Sequence, residues 1–319
     1  MTAEVVSLGE PLVALVACDV GPLELSTRFE PHVVGAELNA AIGVARLGHA
    51  AAYISRVGDD APGRTVLRAL RAEGVGVAHV EVDPAAPTAI LLRGRRGGAA
   101  SEVAYYRRGS AASSLAPASV ELARTAIASA RWFHVSGVTP AISQSAREAV
   151  AAAIALAVEA GVQVSFDVNL RRKLWDDETA RGVLMDGIGR VSTVLGSAEE
   201  LSVITGAGTW RDAAAVLLGL GVGEVVVKLG ADGGALVRAG SEPVERPARA
   251  VDVLDPVGAG DAFAAGYLAG RLRGLDDADV LTLANACGAL AVASIGDTTG
   301  LPSAAELAHL ATSAQEARR

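Results

Sequence analysis

The feature that most constrains this fold is a repeated alternation of short β-branched runs with longer stretches rich in Ala and Leu. The runs have the length of buried strands, and the stretches between them carry apolar residues at helical spacing. Strands and helices in this order build βαβ units. We therefore predict an α/β protein with a doubly wound, mostly parallel sheet flanked by helices. The predicted strands are 4–9, 51–57, 131–136, 163–167, 193–195 and 224–228, and the predicted helices are 37–47, 63–73, 143–160, 211–220 and 261–272.

Two segments, 11–34 and 88–108, interrupt this alternation. Both lack a long helical pattern and alternate like exposed antiparallel strands; the second includes a basic, Gly-rich run at 93–98. We predict that together they form a small β lid over one end of the sheet. Because no repeat, linker or low-complexity tract divides the chain, we predict one domain over 1–319.

Composition excludes several classes of protein. The 319 residues are 51% hydrophobic, which is enough for a core, and the formal net charge is −8, which disfavours binding to nucleic acid. The longest uncharged stretch, 280–296, contains polar residues and is shorter than the roughly 20 apolar residues that a membrane span needs. Glu4 lies where a signal peptide would carry a basic region. We therefore predict a soluble, cytoplasmic protein.

Cysteines and histidines give no sign of a disulfide framework or a metal centre. Cys18 and Cys287 both lie in apolar surroundings, so we expect two packed thiols. The five histidines are scattered, without the spacing of zinc ligands. The chain also lacks a Walker loop, a nucleophile elbow and a dinucleotide fingerprint after the first strand. The missing fingerprint argues against a Rossmann oxidoreductase.

The strongest chemical signal is the segment 255–263, Asp-Pro-Val-Gly-Ala-Gly-Asp-Ala-Phe. The run 258–260 lets the backbone turn tightly, and a helix follows at Asp261. Free N–H groups at such a helix start attract phosphate oxygens, and an aspartate in the first turn can accept a hydroxyl proton. An aspartate that merely caps a helix after a Gly-rich turn is the competing interpretation.

The segment 255–261 resembles the D-T-x-G-A-G-D signature of the ribokinase-like (pfkB-type) carbohydrate kinases, with Pro256 in place of Thr. Residues 35–41 and 45–48 resemble the N-terminal signature of the same family. Two signatures in the correct order are more specific than either alone. The resemblance implies a ribokinase-like fold that uses ATP and Mg²⁺, with Asp261 as the catalytic base. It also implies an anion hole at Gly258, Ala259 and Gly260.

Further segments are similar to the 2-keto-3-deoxygluconate kinases of that family: 167–171 with 174–175, and 105–107 with 109–112. An acid sugar needs a carboxylate partner, and Arg guanidinium groups bind carboxylates bidentately. Arg107 and Arg171 are the predicted pair. They could also be ordinary surface arginines, since all but two of the 28 basic residues are arginines. The substrate residues implied by the resemblance are Gly35, Asn39, Tyr105, Arg107, Arg171 and Asp297.

The segment 225–234 looks like the family's K-x-G-x-x-G stretch over ATP, although a simple strand-turn-strand hairpin is the competing interpretation. An isolated Asn or Asp at a helix end is usually a cap, which is the alternative for Asn285 and Asp297. The resemblance assigns Glu200 to magnesium through water and Asp255 to a monovalent cation such as K⁺. The implied nucleotide residues are Asn169, Ser197, Lys228, Gly230, Gly233, Gly258, Gly260 and Asn285.

These expectations describe ATP-dependent phosphorylation of the terminal primary hydroxyl of 2-keto-3-deoxygluconate. A kinase for a neutral sugar, such as fructose or ribose, or for a nucleoside is the alternative within the family. A non-catalytic sugar-binding protein that keeps the fold is the alternative outside it. The predicted partners are a small acid sugar and ATP, with no nucleic acid or membrane, and a homo-oligomer through the lid, whose exposed strand edge favours pairing.

Overall fold

A computed structural model describes residues 2–95 and 102–309 and contains two β-sheets. Residues 96–101 of the predicted lid lie outside the described residues. The strands are β1 (Val5–Leu8), β2 (Leu12–Val20), β3 (Phe29–Val34), β4 (Ala51–Gly58), β5 (Gly76–Asp83), β6 (Ala89–Arg95), β7 (Val103–Tyr106), β8 (Trp132–Ser136), β9 (Gln163–Asp167), β10 (Thr193–Ser197), β11 (Glu224–Lys228), β12 (Gly234–Arg238) and β13 (Val244–Arg246). The helices are α1 (Ala36–Arg46), α2 (Ala61–Ala72), α3 (Pro117–Leu122), α4 (Arg124–Ala128), α5 (Thr139–Ile142), α6 (Gln144–Glu159), α7 (Asp177–Leu184), α8 (Ala198–Thr205), α9 (Trp210–Gly219), α10 (Ala259–Leu272) and α11 (Asp277–Val292).

The large sheet has nine strands in the order β13-β12-β11-β10-β9-β8-β1-β4-β5. Neighbours from β11 to β5 pair in parallel, and β12 and β13 add two antiparallel pairings at one edge. Two apolar clusters fill the space between the sheet and its helices. The predicted doubly wound, mostly parallel sheet is confirmed.

Local signals set the element boundaries. The strands β1 and β8 are buried along their whole length, as continuous apolar runs in parallel sheets are. The predicted helix 143–160 is observed as α6, with Ser143 as its N-cap: the Ser143 hydroxyl accepts a hydrogen bond from the N–H of Ala146 at 3.0 Å. Asp60 caps α2 in the same way, accepting from the N–H of Gly63 at 2.7 Å.

The small sheet has the order β3-β2-β6-β7 and is built from the two segments that interrupt the alternation. Its outer pairs are antiparallel, as predicted for these segments, but the central strands β2 and β6 are parallel. The prediction missed this pairing because α1, β4, α2 and β5 separate the two strands in the sequence. Parallel neighbours need such a long crossover.

The expectation of two packed thiols is wrong for one cysteine. Cys287 is buried in α11, but Cys18 is exposed near the end of β2. The burial of β2 ends there, since its last residues extend beyond the apolar cluster of the small sheet. Within residues 2–95 and 102–309, no helix has the length and apolar character that crossing a membrane requires.

Candidate active site

A cavity of about 980 Å³ opens at the carboxyl edge of the large sheet, with one wall formed by the small sheet. Ligands of α/β proteins bind at this edge, where the loops after parallel strands converge. The structure brings together here all the predicted site residues except Asp255. The predicted residues on the cavity wall are Gly35, Asn39, Tyr105, Arg107, Asn169, Arg171, Ser197, Glu200, Lys228, Gly230, Gly233, Gly258, Ala259, Gly260, Asp261, Asn285 and Asp297.

Asp261 lies in the first turn of α10 and is buried. Its Oδ2 accepts a hydrogen bond from Asn39 Nδ2 at 2.8 Å, and its Oδ1 accepts one from Asn169 Nδ2 at 3.1 Å. Burial raises the pKa of Asp261 to about 7, while the Asn39 bond and the charges of Arg171 and Lys228 oppose the rise. A carboxylate with a pKa near neutrality can take a proton from a hydroxyl at physiological pH.

The N-terminus of α10 is shaped to receive an anion. Gly258 precedes the helix at φ +82°, and a Cβ there would lie 2.6 Å from the carbonyl oxygen of Asp297, so this position requires glycine. The first N–H groups of a helix have no acceptor within it and carry the positive end of its dipole. A Cβ on Gly260 would lie 3.2 Å from Lys228 Nζ. The backbone groups and the ammonium group therefore converge, as binding of phosphate oxygens requires.

Lys228 is held at this turn by Asp167, the last residue of β9. Lys228 Nζ lies 2.5 Å from Asp167 Oδ2. Burial raises the pKa of Asp167, and the charge of Lys228 opposes that rise. Asp167 Oδ1 is buried and has no hydrogen-bond partner in the described part of the chain. The ion pair thus orients the ammonium group at the start of α10.

Asn39 and Asn169 both donate hydrogen bonds to Asp261 through their side-chain nitrogens, and their side-chain oxygens are not used in these bonds. Asn169 follows β9 with φ +38°, a left-handed value that no other non-glycine residue adopts within 2–95 and 102–309. Asparagine tolerates this conformation better than most residues, and it turns the Asn169 amide toward Asp261. The Oδ1 atoms of both asparagines are buried without a partner among the described residues. Each amide can therefore accept a hydrogen bond from a substrate hydroxyl.

The two predicted carboxylate-binding arginines differ in their surroundings. Arg107 forms an ion pair through Nη2 with Oε2 of the buried Glu10, whose Oε1 accepts from Ser110 Oγ at 2.8 Å. Arg171 is exposed and forms no ion pair with any residue of the described ranges. Arg171 therefore carries an uncommitted positive charge on the cavity wall, and the charge of Arg107 is partly balanced.

Tyr105 lies between cations at the mouth of the cavity. The guanidinium carbon of Arg107 is 5.5 Å from the centre of its ring, and Lys173 Nζ is 5.6 Å from that centre. Such contacts favour a fixed ring position. Lys173 also donates to the carbonyl oxygen of Val103 in β7 at 2.8 Å. This lysine joins the small sheet to the loop that carries Arg171.

The segment 225–234 has the strand-turn-strand backbone of the competing interpretation, and its predicted contact with ATP stays a prediction. Strands β11 and β12 form an antiparallel hairpin, and the turn between them carries Gly230 and Gly233 on the cavity wall. Asn285 Nδ2 donates to the carbonyl oxygens of Arg246 at 2.9 Å and Pro247 at 3.2 Å. Asn285 thereby fixes the chain that follows β13 against α11.

Ser197 and Glu200 form a capping box at the start of α8. Ser197 Oγ accepts from the N–H of Glu200 at 3.2 Å, and Glu200 Oε2 accepts from the N–H of Ser197 at 2.8 Å. Glu200 Oε1 accepts from the N–H of Leu170 at 2.8 Å, so both carboxylate oxygens already bind backbone groups. The described residues contain no cluster of three or more side chains able to hold a metal ion.

This donor set fits a magnesium ion that arrives with a nucleotide. Mg²⁺ keeps several waters and is held by one or two carboxylates together with substrate phosphates. Glu200 lies on the cavity wall, and each of its carboxylate oxygens, which accepts one backbone hydrogen bond, has a further lone pair that could bind a water of such an ion. A cage made by the protein alone is not needed.

Asp255 and Asp297 share a cation that comes from the small sheet. Arg93 Nη2 lies 3.0 Å from Asp255 Oδ2, and Arg93 Nη1 lies 3.1 Å from Asp297 Oδ1. Asp255 Oδ1 also accepts from the N–H of Val257 at 3.1 Å. Because the Arg93 guanidinium already supplies a positive charge to both carboxylates, the arrangement does not fit a second, monovalent cation at Asp255.

Sequence reasoning missed Glu10, Arg93 and Asp167 as members of the site. Asp167 stands at the end of a predicted strand in a quoted motif, so its position was a usable signal. Arg93 lies in the basic run, where it is one arginine among many. Glu10 follows the first strand directly, at the edge where ligands bind. Nothing in the sequence pairs Glu10 with Arg107, which lies 97 residues away.

Comparison with known proteins finds relatives that match nearly the full length of this chain. The family model of the pfkB family carbohydrate kinases matches residues 2–304. A 2-dehydro-3-deoxygluconokinase of Thermoproteus tenax is 39% identical over 96% of this chain and 93% of its own length. A 2-dehydro-3-deoxygluconokinase of Bacillus subtilis (strain 168) is 35% identical over 97% of this chain and 95% of its own.

A solved structure of similar fold contains ATP and Mg²⁺. An E. coli protein described as a ribokinase II, in complex with ATP and Mg²⁺, superimposes with a TM-score of 0.89 at 28% identity. The match covers 97% of this chain and 99% of the other. The ribokinase-like architecture is therefore shared over nearly the full length of both chains.

Proposed function

Because the chain belongs to the pfkB family of carbohydrate kinases, we propose that this sugar kinase uses ATP to phosphorylate 2-keto-3-deoxygluconate at its terminal primary hydroxyl. The product would be 2-keto-3-deoxy-6-phosphogluconate. One observation carries the choice of an acid sugar: the same cavity holds Asp261 beside the N-terminal turn of α10 and, on its wall, the exposed Arg171, which forms no ion pair with any residue of 2–95 or 102–309. This guanidinium can bind the carboxylate of an acid sugar, a group that a neutral sugar lacks.

The proposed mechanism begins with the proton of the acceptor hydroxyl. Asp261 takes it as that oxygen attacks the γ-phosphorus of ATP in line with the bond to the leaving ADP oxygen. The N–H groups at the start of α10 and the ammonium group of Lys228 stabilise the charge on the transferring group. Magnesium, when bound with the nucleotide, would neutralise phosphate charge. At the end of the step the proton is on Asp261, the phosphoryl group is bonded to the sugar oxygen, and ADP is the leaving group.

The position of the sugar is proposed from the polar groups of the cavity that have no partner among the described residues. The Oδ1 atoms of Asn39 and Asn169 are buried acceptors close to Asp261, which suits them to hold the hydroxyl that reacts. Arg171, with Tyr105 and Arg107 across the cavity, would hold the carboxylate end. The substrate would then lie along the cavity, with its primary hydroxyl at Asp261.

We extend the proposal to the small sheet as a lid. It supplies Arg107 and Tyr105, and its closure over the substrate would exclude water and limit hydrolysis of ATP. Its exposed apolar side chains include Val20, Leu25 and Tyr106, which suit contact with a second copy of the chain. The proposal therefore includes a single kinase domain with this lid. It also includes a homo-oligomer in which the copies contact each other through their lids.

An ADP-release assay over a panel of sugars tests the function. The panel holds 2-keto-3-deoxygluconate, its galactonate epimer, fructose, ribose and a nucleoside, each with Mg²⁺ and ATP. We expect the keto acids to give the highest kcat/KM and the product to carry phosphate on its terminal carbon. Higher kcat/KM for fructose, ribose or the nucleoside would replace the acid sugar as substrate. Sugar binding without any ADP release would show that the protein binds sugars but is not a kinase.

A further inference from the structure

Arg93 is a buried guanidinium that joins three distant parts of the chain. It lies in β6 of the small sheet, is 7% exposed and binds Asp255 and Asp297. Asp255 belongs to the loop before α10, and Asp297 follows α11. The side chains of both acids are mostly buried, at 15% and 12% exposure. Arg93 therefore binds two carboxylates that have little contact with water, and His32 lies close enough to Asp297 for its charge to lower the pKa of that carboxyl.

The two carboxylates need a positive charge between them. Buried charges are costly unless they are paired. Burial raises the pKa of Asp297, the negative charge of Asp255 adds to that rise, and the charge of Arg93 opposes it. Gly296 contributes only an N–H group, at 3.4 Å from Asp255 Oδ2. Without Arg93, this pair would either take up a proton or bind another cation.

The pair also sets the position of the anion-binding turn. Asp255 is three residues before Gly258 and accepts a hydrogen bond from the N–H of Val257, so its carboxylate orders that loop. The backbone of Asp297 packs directly on Gly258, where a Cβ would meet its carbonyl oxygen at 2.6 Å. Repulsion between the two acids would therefore move the turn that starts α10.

We propose that Arg93 is the built-in counter-cation of Asp255 and Asp297, so that this kinase needs no monovalent cation to order its anion-binding turn. The proposal rests on the kinase site described above. In this role Arg93 is a positioning residue, because it acts through the two carboxylates and the loop. It replaces the K⁺ that the family resemblance implied beside Asp255, and it makes the small sheet part of the phosphate-binding machinery.

The first test compares salts on the unaltered protein. The enzyme is dialysed into tetramethylammonium chloride, and turnover is then measured in that salt, in KCl and in NaCl at equal ionic strength. We expect the three rates to agree within about twofold. A tenfold or larger requirement for K⁺ or Na⁺ would overturn the proposal. The thermal midpoint with Mg·ADP, measured in the same salts, should likewise be independent of the cation.

The second test removes the guanidinium. In tetramethylammonium chloride, Arg93→Met should lower kcat at least tenfold, and K⁺ or added guanidinium ion should restore much of it. Arg93→Lys should retain more activity than Arg93→Met. Arg95→Met removes a charge from the same strand without touching either acid and serves as the control. Full activity of Arg93→Met in tetramethylammonium chloride, or no restoration by any cation, would refute the role.

Two measurements separate a failure of this proposal from misfolding of the variant and from a failure of the proposed kinase activity. If Arg93→Met does not fold, the salt comparison on the unaltered protein still decides the question. If no sugar in the panel is phosphorylated, the thermal midpoint with Mg·ADP still reports on Arg93. We then expect a K⁺-specific rise in the midpoint for Arg93→Met and none for the unaltered protein. A K⁺-specific rise in the unaltered protein would count against the proposal.

Discussion

Two buried polar clusters lie at opposite edges of the same sheet, and they differ in how many of their polar atoms have hydrogen-bond partners. At the amino edge, Glu224 accepts hydrogen bonds from Tyr267, Thr193, Arg238 and Arg271. Both arginines of this cluster also bind Asp277. At the carboxyl edge, the cluster around Asp261 keeps four buried oxygen or nitrogen atoms without a partner in the part of the chain that the structure describes. These are Asn39 Oδ1, Arg107 Nε, Asp167 Oδ1 and Asn169 Oδ1.

The difference separates a structural cluster from a reactive one. A saturated network stabilises the fold, because each polar group regains on folding the bonds it had to water. A cluster with unused acceptors and a carboxylate of raised pKa costs stability, and such cost is typical of binding and catalytic sites. We therefore expect substitutions at the carboxyl edge to change turnover and those at the amino edge to change the free energy of unfolding.

The largest effect should come from Asp261→Asn. The amide keeps the shape of the side chain but cannot accept the hydroxyl proton, so kcat should fall by about 10³-fold, within the range of general-base contributions. The variant should also melt at a higher temperature at pH 8, since a buried charge is removed. A kcat within tenfold of the unaltered enzyme, in the coupled ADP assay, would exclude Asp261 as the base.

Arg271→Met should produce the opposite pattern. It leaves Glu224 with Arg238 as its one cationic partner in the described part of the chain, so the free energy of unfolding should fall by about 3 kcal/mol, as for broken buried ion pairs. The activity of the folded protein should stay within about twofold. Denaturant unfolding and initial rates measure the two quantities. Arg64→Met, which removes an exposed pair with Asp59 at 3.6 Å, should change neither and serves as the control. A tenfold loss of activity in Arg271→Met would erase the distinction between the edges.

A smaller effect is expected for Arg171→Ala. Loss of a charged hydrogen-bond donor to the sugar carboxylate should raise KM for the keto acid about 30-fold, consistent with roughly 2 kcal/mol, and leave KM for ATP unchanged. Arg172→Ala is the matched control, because the neighbouring Arg172 binds Asp177 and Glu199 on the surface. Equal KM values for the two variants would show that Arg171 does not bind substrate.

The smallest effect should be the dependence of kcat/KM on pH. Asp261 must be ionised to act as a base and its pKa is about 7, so kcat/KM should rise about tenfold from pH 6 to pH 8. The stability term has the opposite sign: the folded pKa is raised above the unfolded value, so ionisation above that unfolded value destabilises the fold. The gain in melting temperature of Asp261→Asn should therefore be complete above pH 7 and vanish near pH 4. A flat rate profile would contradict the assignment.

Much of this architecture could be predicted because its signals are local. The predicted strands 163–167 and 224–228 match β9 and β11, since continuous apolar runs bounded by turns specify buried strands. The predicted site residues were found through motifs whose members lie close together in sequence. The cavity gathers all of them except Asp255, although their individual roles stay predictions.

What the sequence could not provide is the pairing of distant charges. Arg93 meets Asp297 across 204 residues, and nothing in the basic run distinguishes Arg93 from its neighbours. The parallel pairing of β2 with β6 was missed for the same reason, because it depends on how intervening elements pack. The exposure of Cys18 likewise depends on where the small sheet's core ends, and an apolar neighbourhood in sequence does not determine this.

The parallel pairing of β2 and β6 has a consequence for the order of folding. A newly made chain cannot complete the small sheet until α1, β4, α2 and β5 have been synthesised, since the crossover between the paired strands contains them. The bond from Arg93 to Asp297 then closes only when α11 has been made. Contacts of such sequence separation form late and slowly. The small sheet itself needs no strand beyond β7, but its ion pair with the segment after α11 forms only once Asp297 has been made, so a chain truncated before α11 should lack that link.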